Sequence, residues 1–245
     1  IFLYLCIIMI YIQSNSERTM AHHFDCACAL YGAIDSGLDY RLTSFEEVSS
    51  GKFDQLLKSR LFVGSTEFMT EVFGRMGFYN VKLPANSNRA CEIITLKEAH
   101  NRVSNGETLF VKPTHIKLFS GLILNGMIQS CLTSLPEDTL VMAYQPFSSP
   151  IKSEWRTYVH NNKIFDCRNY SGDFTIHPDY AYINDVIKSN VKTFPCAYTI
   201  DIGILENGDN VVVEYNDMWA IGNYGVENDR YLRMLTDRYF QIVRG

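Results

Sequence analysis

The sequence has no dense run of lysine or arginine, and its formal net charge is −5 at pH 7. Domains that bind nucleic acid usually present a basic face, so this balance argues against a nucleic-acid partner. The seven cysteines are odd in number and form no C-x-x-C pair. That usage indicates reduced thiols, so we expect a cytoplasmic protein. No internal repeats are present, and no G-x-G-x-x-G follows the first predicted strand, which leaves a dinucleotide-binding fold unsupported.

Long hydrophobic runs are also few. The apolar N-terminal stretch, residues 1–12, is too short to span a membrane and lacks a basic flank and a cleavage site, so we expect no membrane partner. Met9 offers a start for a first buried strand, and Ile1–Ile8 is interpreted as upstream read-through or a fragment edge. With 47% hydrophobic and 20% charged residues over 245 positions, the composition is typical of a soluble globular protein with a sizeable core.

Alternating strand and helix patterns predict a small parallel α/β unit over residues 9–80. Its first helix is expected over about 15–36, because Ser14 begins a capping-box sequence and Gly37 supplies a stop. Further strands at 40–43 and 61–63, and a linker at 81–94, complete the predicted N-terminal half.

Histidine and cysteine side chains cluster within this first predicted helix, at His22, His23, Cys26 and Cys28. They resemble zinc ligands, but no second pair completes a tetrahedral site, and packed core thiols are the favoured interpretation. Four other histidines have no paired spacing and are predicted to lie at the surface: His100, His115, His160 and His177.

The strongest chemical signal lies in two consecutive predicted strands near the C-terminus. Side chains alternate along a strand, so Glu214 and Asn216 point to one face about 6–7 Å apart. The turn at 206–210 predicts a hairpin in which Asp201 lies across from Glu214. Three oxygen-bearing side chains on one face suit a hard cation such as Mg²⁺. A hairpin with its polar face in water is the alternative, but the apolar segment Met218–Gly222 that follows is unusual for a free surface loop.

Candidate anion-binding residues precede this hairpin. Lys112 closes a predicted strand and Lys117 lies in the short loop that ends at Gly121, which suits a phosphate clamp. An ordinary hairpin with its lysines extended into solvent is the alternative.

Two arginines, Arg156 and Arg168, lie on neighbouring predicted strands and suit phosphate or carboxylate binding. Cross-strand ion pairing with Glu154 and Asp166 is the alternative.

Together these stretches resemble the ATP-grasp superfamily over about residues 108–245. Five motifs in this order carry the resemblance: FVKP at Phe110–Pro113, KLFSG at Lys117–Gly121, SEWRTYV at Ser153–Val159, YTIDIG at Tyr198–Gly203 and VVEYNDMWAIGNYG at Val212–Gly225. The chain looks closest to a compact clade found in bacteria and their viruses.

The resemblance implies an α+β / α/β fold in which the N-terminal parallel α/β unit is similar to the domain that commonly precedes ATP-grasp domains. A two-lobed ATP-grasp domain with antiparallel sheets would follow over 95–245. Its nucleotide lobe would cover about 95–145, and its metal and catalytic lobe about 146–245.

The resemblance also implies roles by position. Lys112 would bind the α and β phosphates of ATP, and Lys117 would reach further along the triphosphate. Gln145 and Phe147 would hold adenine, although many members carry Glu at the hinge where this chain has Gln. Glu154 is assigned to the nucleotide as well.

For the reaction itself, the resemblance assigns Mg²⁺ to Asp201, Glu214 and Asn216. Arg156, Arg168 and Lys117 would be catalytic. The two arginines would stabilise an acyl phosphate and the tetrahedral species after it.

The implied function is an ATP- and Mg²⁺-dependent ligase that joins a small-molecule or peptide carboxylate to an amine acceptor, with amino acids or peptides as expected substrates. Dimers are common among such ligases, so a homodimer is among the expected assemblies. Two alternatives stay open: a kinase on the same scaffold, and a non-catalytic nucleotide-binding module.

Overall fold

The computed structural model describes residues 9–79, 81, 83, 91–114, 118–126 and 132–245. Its strands are β1 Ile10–Gln13, β2 Tyr40–Thr43, β3 Leu61–Val63, β4 Cys91–Thr95, β5 Leu109–Pro113, β6 Leu122–Leu124, β7 Leu140–Tyr144, β8 Ile151–His160, β9 Lys163–Gly172, β10 Ala197–Leu205 and β11 Asn210–Asp217. Its helices are α1 Phe24–Asp35, α2 Phe45–Ser49, α3 Thr66–Arg75, α4 Leu96–Ser104, α5 Tyr180–Asn190 and α6 Asn228–Arg244, with a 3-10 turn at Met218–Ala220.

The chain divides into two compact units. Unit 1 takes its described residues from the ranges 1–85, 152–204 and 210–245, and unit 2 takes them from 86–151 and 205–209. The predicted linker, 81–94, lies largely outside the described residues, as does Ile1–Ile8. The predicted domain boundaries stay predictions.

Unit 1 contains two sheets. The first has the order β2-β1-β3 with parallel pairing, as expected for its strand–helix–strand sequence. The second has the order β11-β10-β8-β9, in which the pairs β10–β11 and β8–β9 are antiparallel. Buried apolar side chains of β1 and β3 pack with α3 and α6, and they include Ile10, Ile12, Leu61, Phe68 and Leu232.

The first helix begins later than predicted. Asn15 accepts the backbone N–H of Thr19 at 3.0 Å, and Arg18 adopts a φ of 59°, so the segment after β1 forms a turn. An asparagine side chain that bonds nearby backbone groups competes with helix formation, and α1 starts only after its N-cap, His23. The predicted end before Gly37 is confirmed, since Gly37 has a φ of 64°.

The capping box predicted at Ser14 is therefore wrong, and one is found instead at α2. The Ser44 hydroxyl accepts the Glu47 N–H at 3.3 Å, and the Glu47 carboxylate accepts the Ser44 N–H at 3.3 Å. Cys26 and Cys28 are buried in the core of unit 1, as predicted.

Helices α1 and α6 approach closely at Gly32. A Cβ built on Gly32 would lie 2.3 Å from the carbonyl oxygen of Asn228. Because no side chain other than hydrogen fits at that distance, Gly32 allows the C-terminal helix to cover the N-terminal one.

Unit 2 is built around one sheet with the order β4-β7-β5-β6, whose pairs are antiparallel. Helix α4 begins at the predicted cap, because the Thr95 hydroxyl accepts the Glu98 N–H at 3.1 Å. Its buried residues Ala99 and Val103 pack with Val111 and Val141 of the sheet.

No helix in the described part of the chain is both long and apolar enough to cross a bilayer.

Candidate functional site

The hairpin β10–β11 gathers the three oxygen-bearing side chains expected from its alternation. Asp201 pairs with Glu214, and Thr199 pairs with Asn216. A register shift follows Asp201 directly, so a bulge lies beside the site. The predicted position of Asp201 across from Glu214 is confirmed.

Hydrogen bonds tie this set together. The Asn216 amide donates to Glu214 Oε1 at 3.2 Å and lies 3.4 Å from Asp201 Oδ2. Two carboxylates and one carboxamide therefore converge, with Glu214 and Asn216 partly exposed and Asp201 buried. Oxygen donors of this kind fit a divalent cation such as Mg²⁺, which also keeps bound water.

No group of three or more His, Cys, Asp and Glu side chains suited to a metal is found in the described ranges. The hairpin set differs from such groups because its third donor is an amide. His22, His23, Cys26 and Cys28 form no such group either, and His22 lies outside α1.

Arg156 on β8 forms a buried bidentate ion pair with Asp201 on the neighbouring strand. Its Nε and Nη2 atoms donate to the two carboxylate oxygens at 2.8 and 2.7 Å. Burial opposes the charge of Arg156, but the hydrogen bonds to Asp201 raise its pKa, so the guanidinium stays charged. The sequence left open a pairing of Arg156 with Glu154, and the structure pairs it with Asp201 instead.

Burial also shifts the partner of this arginine. Desolvation raises the pKa of the Asp201 carboxyl to about 6, and the nearby Glu214 carboxylate adds to the shift, while Arg156 opposes it. Bringing two carboxylates together in a buried place is unfavourable unless positive charge compensates them. Arg156 provides part of that compensation, and a bound cation would provide more.

Two tyrosines cover the guanidinium. The Arg156 Cζ lies 4.8 Å from the ring centroid of Tyr224 and 5.6 Å from that of Tyr170. The two rings stack, with centroids 5.2 Å apart. Both are suited to cation–π contact. Sequence reasoning missed these residues, because neither has a polar partner at a recognisable spacing.

Tyr224 has a φ of 48°, in the left-handed region that bulky residues rarely adopt. Residues in such conformations often lie at functional sites. Beside it, the Tyr158 hydroxyl lies 2.6 Å from the carbonyl oxygens of Gly222 and Asn223. These contacts hold the loop after β11 against β8.

The other residues predicted on β8 and β9 form different contacts. Glu154 accepts a short hydrogen bond from the Tyr170 hydroxyl. Arg168 is the cross-strand partner of Arg156 in the backbone register, but its Nη2 donates to Asp166 at 2.9 Å. The ion pair that the sequence left open for Arg168 is therefore present.

His160 is buried and lies 2.8 Å from Asp237 of α6, so its predicted surface position is wrong. The inward side-chain pattern of a central strand places it between β8 and the covering helix.

The predicted nucleotide-binding residues of unit 2 are described separately. Lys112 lies near the end of β5, with its Nζ 5.4 Å from the ring centroid of Tyr144. Gln145 follows β7 and donates to Glu107 at 3.2 Å, and Phe147 is half-buried two residues later. Lys117 lies outside the described residues.

The chain matches the model of a family of ATP-grasp domains, the second family of its clade, over residues 87–234, which is more than half of its length. It therefore belongs to this ATP-grasp family, and the predicted superfamily membership is confirmed. A search of the curated proteins found no match.

Solved structures share the fold. N5-carboxyaminoimidazole synthetase from Staphylococcus aureus, complexed with ADP, is similar at a TM-score of 0.59 and 11% identity, covering 94% of this chain and 78% of that one. D-alanine–D-alanine ligase from Bacillus anthracis has a TM-score of 0.53 and 11% identity, covering 97% and 98%. A RimK domain ATP-grasp protein from Sphaerobacter thermophilus has a TM-score of 0.51 and 10% identity, covering 97% and 100%. The predicted mixed α/β fold is confirmed.

Proposed function

We propose that this protein is an ATP- and Mg²⁺-dependent ligase that joins a carboxylate to an amine through an acyl phosphate. The observation that carries the proposal is the convergence of Asp201, Glu214 and Asn216 on one hairpin face, with Arg156 bound to Asp201. Family membership supports nucleotide chemistry, and ATP-grasp ligases share the fold.

The residues of unit 1 fit the needs of this chemistry. A carboxylate is a poor electrophile, and activating it brings anions together, which requires fixed positive charge where negative charge accumulates. Asp201, Glu214 and Asn216 would hold Mg²⁺, which when bound neutralises phosphate oxygens. Arg156 would present a guanidinium whose orientation Asp201 and Tyr224 fix.

The roles proposed for unit 2 rest on the family resemblance. Lys112 would bind phosphate oxygens as a point charge, and Gln145 and Phe147 would contact adenine. Lys117 keeps its proposed role as a second phosphate-binding lysine.

Calorimetric titration with ATP, with and without Mg²⁺, tests the proposal on the wild type and the Glu214→Ala variant. We expect Mg²⁺-dependent ATP binding that Glu214→Ala reduces strongly, while its circular dichroism spectrum stays unchanged. The variant removes a partly exposed ligand and little core volume. Lys112→Ala should weaken ATP binding as well.

Glu137→Ala is the matched control, because this carboxylate is 75% exposed and pairs with Lys97. Its ATP affinity should equal that of the wild type. Mg²⁺-dependent binding that Glu214→Ala retains in full would contradict the assigned metal site.

Product analysis then separates ligation from phosphorylation. Amines and carboxylates are incubated with ATP and Mg²⁺, and the products are identified by mass spectrometry. We expect an amide with release of phosphate. A phosphorylated hydroxyl would identify the kinase alternative, and the absence of ATP binding would favour a non-catalytic module.

A further inference from the structure

A cavity of about 200 Å³ lies within unit 1, beside the loop that follows β11. The first turns of α1 and α3 and residues 219–222 form its wall. Gly222 belongs both to this wall and to the surroundings of Arg156, since a Cβ on Gly222 would lie 3.7 Å from Arg156 Nη1. A molecule in the cavity would therefore lie near the guanidinium that we assign to the reacting centre.

Negative charge dominates the lining. Asp25 and Glu67 both line the cavity, and none of the described residues around it is a lysine or arginine. Asp25 is held in place because its Oδ1 accepts the Asn223 N–H at 2.7 Å, and its Oδ2 lies 3.7 Å from His23 Nδ1. Two carboxylates without a basic neighbour in the wall favour a cationic group such as an ammonium.

The wall also supplies a hydrogen-bond donor. The indole N–H of Trp219 is buried and has no hydrogen-bond partner in the described part of the chain. A buried donor without an acceptor is costly, and native structures usually satisfy such groups. A ligand with a carbonyl or carboxylate oxygen would satisfy it.

The volume limits the size of the ligand. One water molecule occupies about 30 Å³ in the liquid, so the cavity corresponds to about seven water molecules. That space suits a molecule the size of a small amino acid and is too small for a folded peptide segment.

We propose that this cavity binds a small α-amino acid, with its ammonium group toward Asp25 and Glu67 and an oxygen near Trp219. Its role as the amine acceptor of the ligation rests on the proposed function. The binding itself does not require ATP and is tested without it.

The indole N–H signals in ¹⁵N-correlated NMR spectra report on the site. The protein has two tryptophans, and Trp155 already donates to Ser153 and Ile176 at 2.9 Å, so it serves as an internal reference. Titration with L-alaninamide should shift the Trp219 signal to saturation and leave that of Trp155 in place. Propionamide and propionate, which lack the ammonium group, should bind at least about tenfold more weakly.

Variants identify the carboxylates. Asp25→Asn keeps an oxygen that can accept the Asn223 N–H but removes the charge, and it should weaken L-alaninamide binding about tenfold. Glu67→Gln should weaken it in the same direction, because its exposed carboxylate lies at the rim. Asp185→Asn, which removes a carboxylate that is 74% exposed on α5, is the control and should bind as the wild type does.

A Trp219 signal that does not respond, propionate binding as tight as that of L-alaninamide, or an unchanged affinity in Asp25→Asn would each overturn the inference. ATP binding without a response to L-alaninamide would overturn the inference alone. A response to L-alaninamide without ATP binding would support the amino-acid site and contradict the proposed ligase.

Discussion

Among single residues, the Arg156–Asp201 pair determines which substitutions can test the site. Arg156 is 6% exposed and Asp201 is 1% exposed, so each charge depends on the other for compensation. Removing one partner of a buried pair leaves an uncompensated charge, whereas replacing both by apolar residues is often tolerated. Glu214 is partly exposed and is therefore the better choice for a test of metal binding.

We expect Asp201→Asn to lower the free energy of unfolding by about 3–5 kcal/mol, because Arg156 stays charged and buried. The double variant Arg156→Met, Asp201→Leu should recover most of that loss. Urea denaturation followed by circular dichroism measures both. Asp185→Asn, which removes an exposed ion pair, should change the value by less than about 1 kcal/mol. A double variant no more stable than Asp201→Asn would contradict this account of the pair.

Among the secondary-structure elements, glycines in two helices have opposite roles. Gly32 lies where α1 meets α6, and a Cβ there would clash with backbone. Gly74 lies within α3, and the nearest atom to its Cβ would be a Tyr79 ring carbon at 3.8 Å. The first glycine is required by packing, and the second only lowers helix propensity.

Gly32→Ala should therefore destabilise the protein by about 1–3 kcal/mol, because the helices must separate. Gly74→Ala should stabilise it by about 0.5–1 kcal/mol, since alanine favours the helix and fits the space. Thermal unfolding of the two variants should move the midpoint in opposite directions. Equal shifts would show that α1 and α6 are in looser contact at Gly32.

The N-terminus of α2 links an element to the acid stability of the protein. Burial opposes the charge of Glu47, but hydrogen bonds from Lys52, Thr43 and Ser44 lower its pKa to about 2. The pKa of an unperturbed glutamate, as in the unfolded chain, is about 4.3. Glu47 therefore contributes stability that is full above about pH 4.3 and is lost as the pH falls toward about 2.

Glu47→Gln should cost about 1 kcal/mol near neutral pH, where the cap and ion pairs are present in the wild type. The difference from the wild type should shrink as the pH falls through that window. Urea denaturation at a series of pH values measures it, and Glu137→Gln provides an exposed control. A difference that stays constant with pH would contradict an ionised Glu47.

In the molecule as a whole, the final helix completes the core begun by the first strands. Unit 1 is assembled from three separate stretches of the chain, and α6 packs on α1. Folding of this unit therefore depends on contacts between distant parts of the sequence, which close large loops. Its cysteines report on that packing, because Cys26 is fully buried in this core while Cys91 of unit 2 is exposed.

Alkylation should follow this difference. Burial raises the pKa of the Cys26 thiol to about 12 and that of Cys196 to about 11, so few reactive thiolates form at these positions. Under native conditions we expect iodoacetamide to modify Cys91 first and Cys26 only after unfolding, as measured by peptide mass spectrometry. Denatured protein is the control. Equal rates for Cys26 and Cys91 in the native state would contradict the burial of Cys26 in the core.

Most local features could be predicted from the order of residues alone. Alternation along two strands was enough to predict that Asp201, Glu214 and Asn216 share a face, because the strand period depends only on backbone geometry. Turn and cap residues likewise marked where α4 begins. The false capping box at Ser14 shows the limit, since two alternatives of similar local energy competed there and Asn15 favoured a turn.

Which side chains meet around the site depended on tertiary packing. Arg156 had a local partner available in Glu154, but β8 lies beside β10 and the buried Asp201, 45 residues away, binds it instead. Asp25 contacts Asn223 across 198 residues, and Tyr224 covers Arg156 from a loop. The physical reason is that buried charges and donors must be paired wherever the packed core places them, and that placement follows from long-range contacts rather than from neighbours in the sequence.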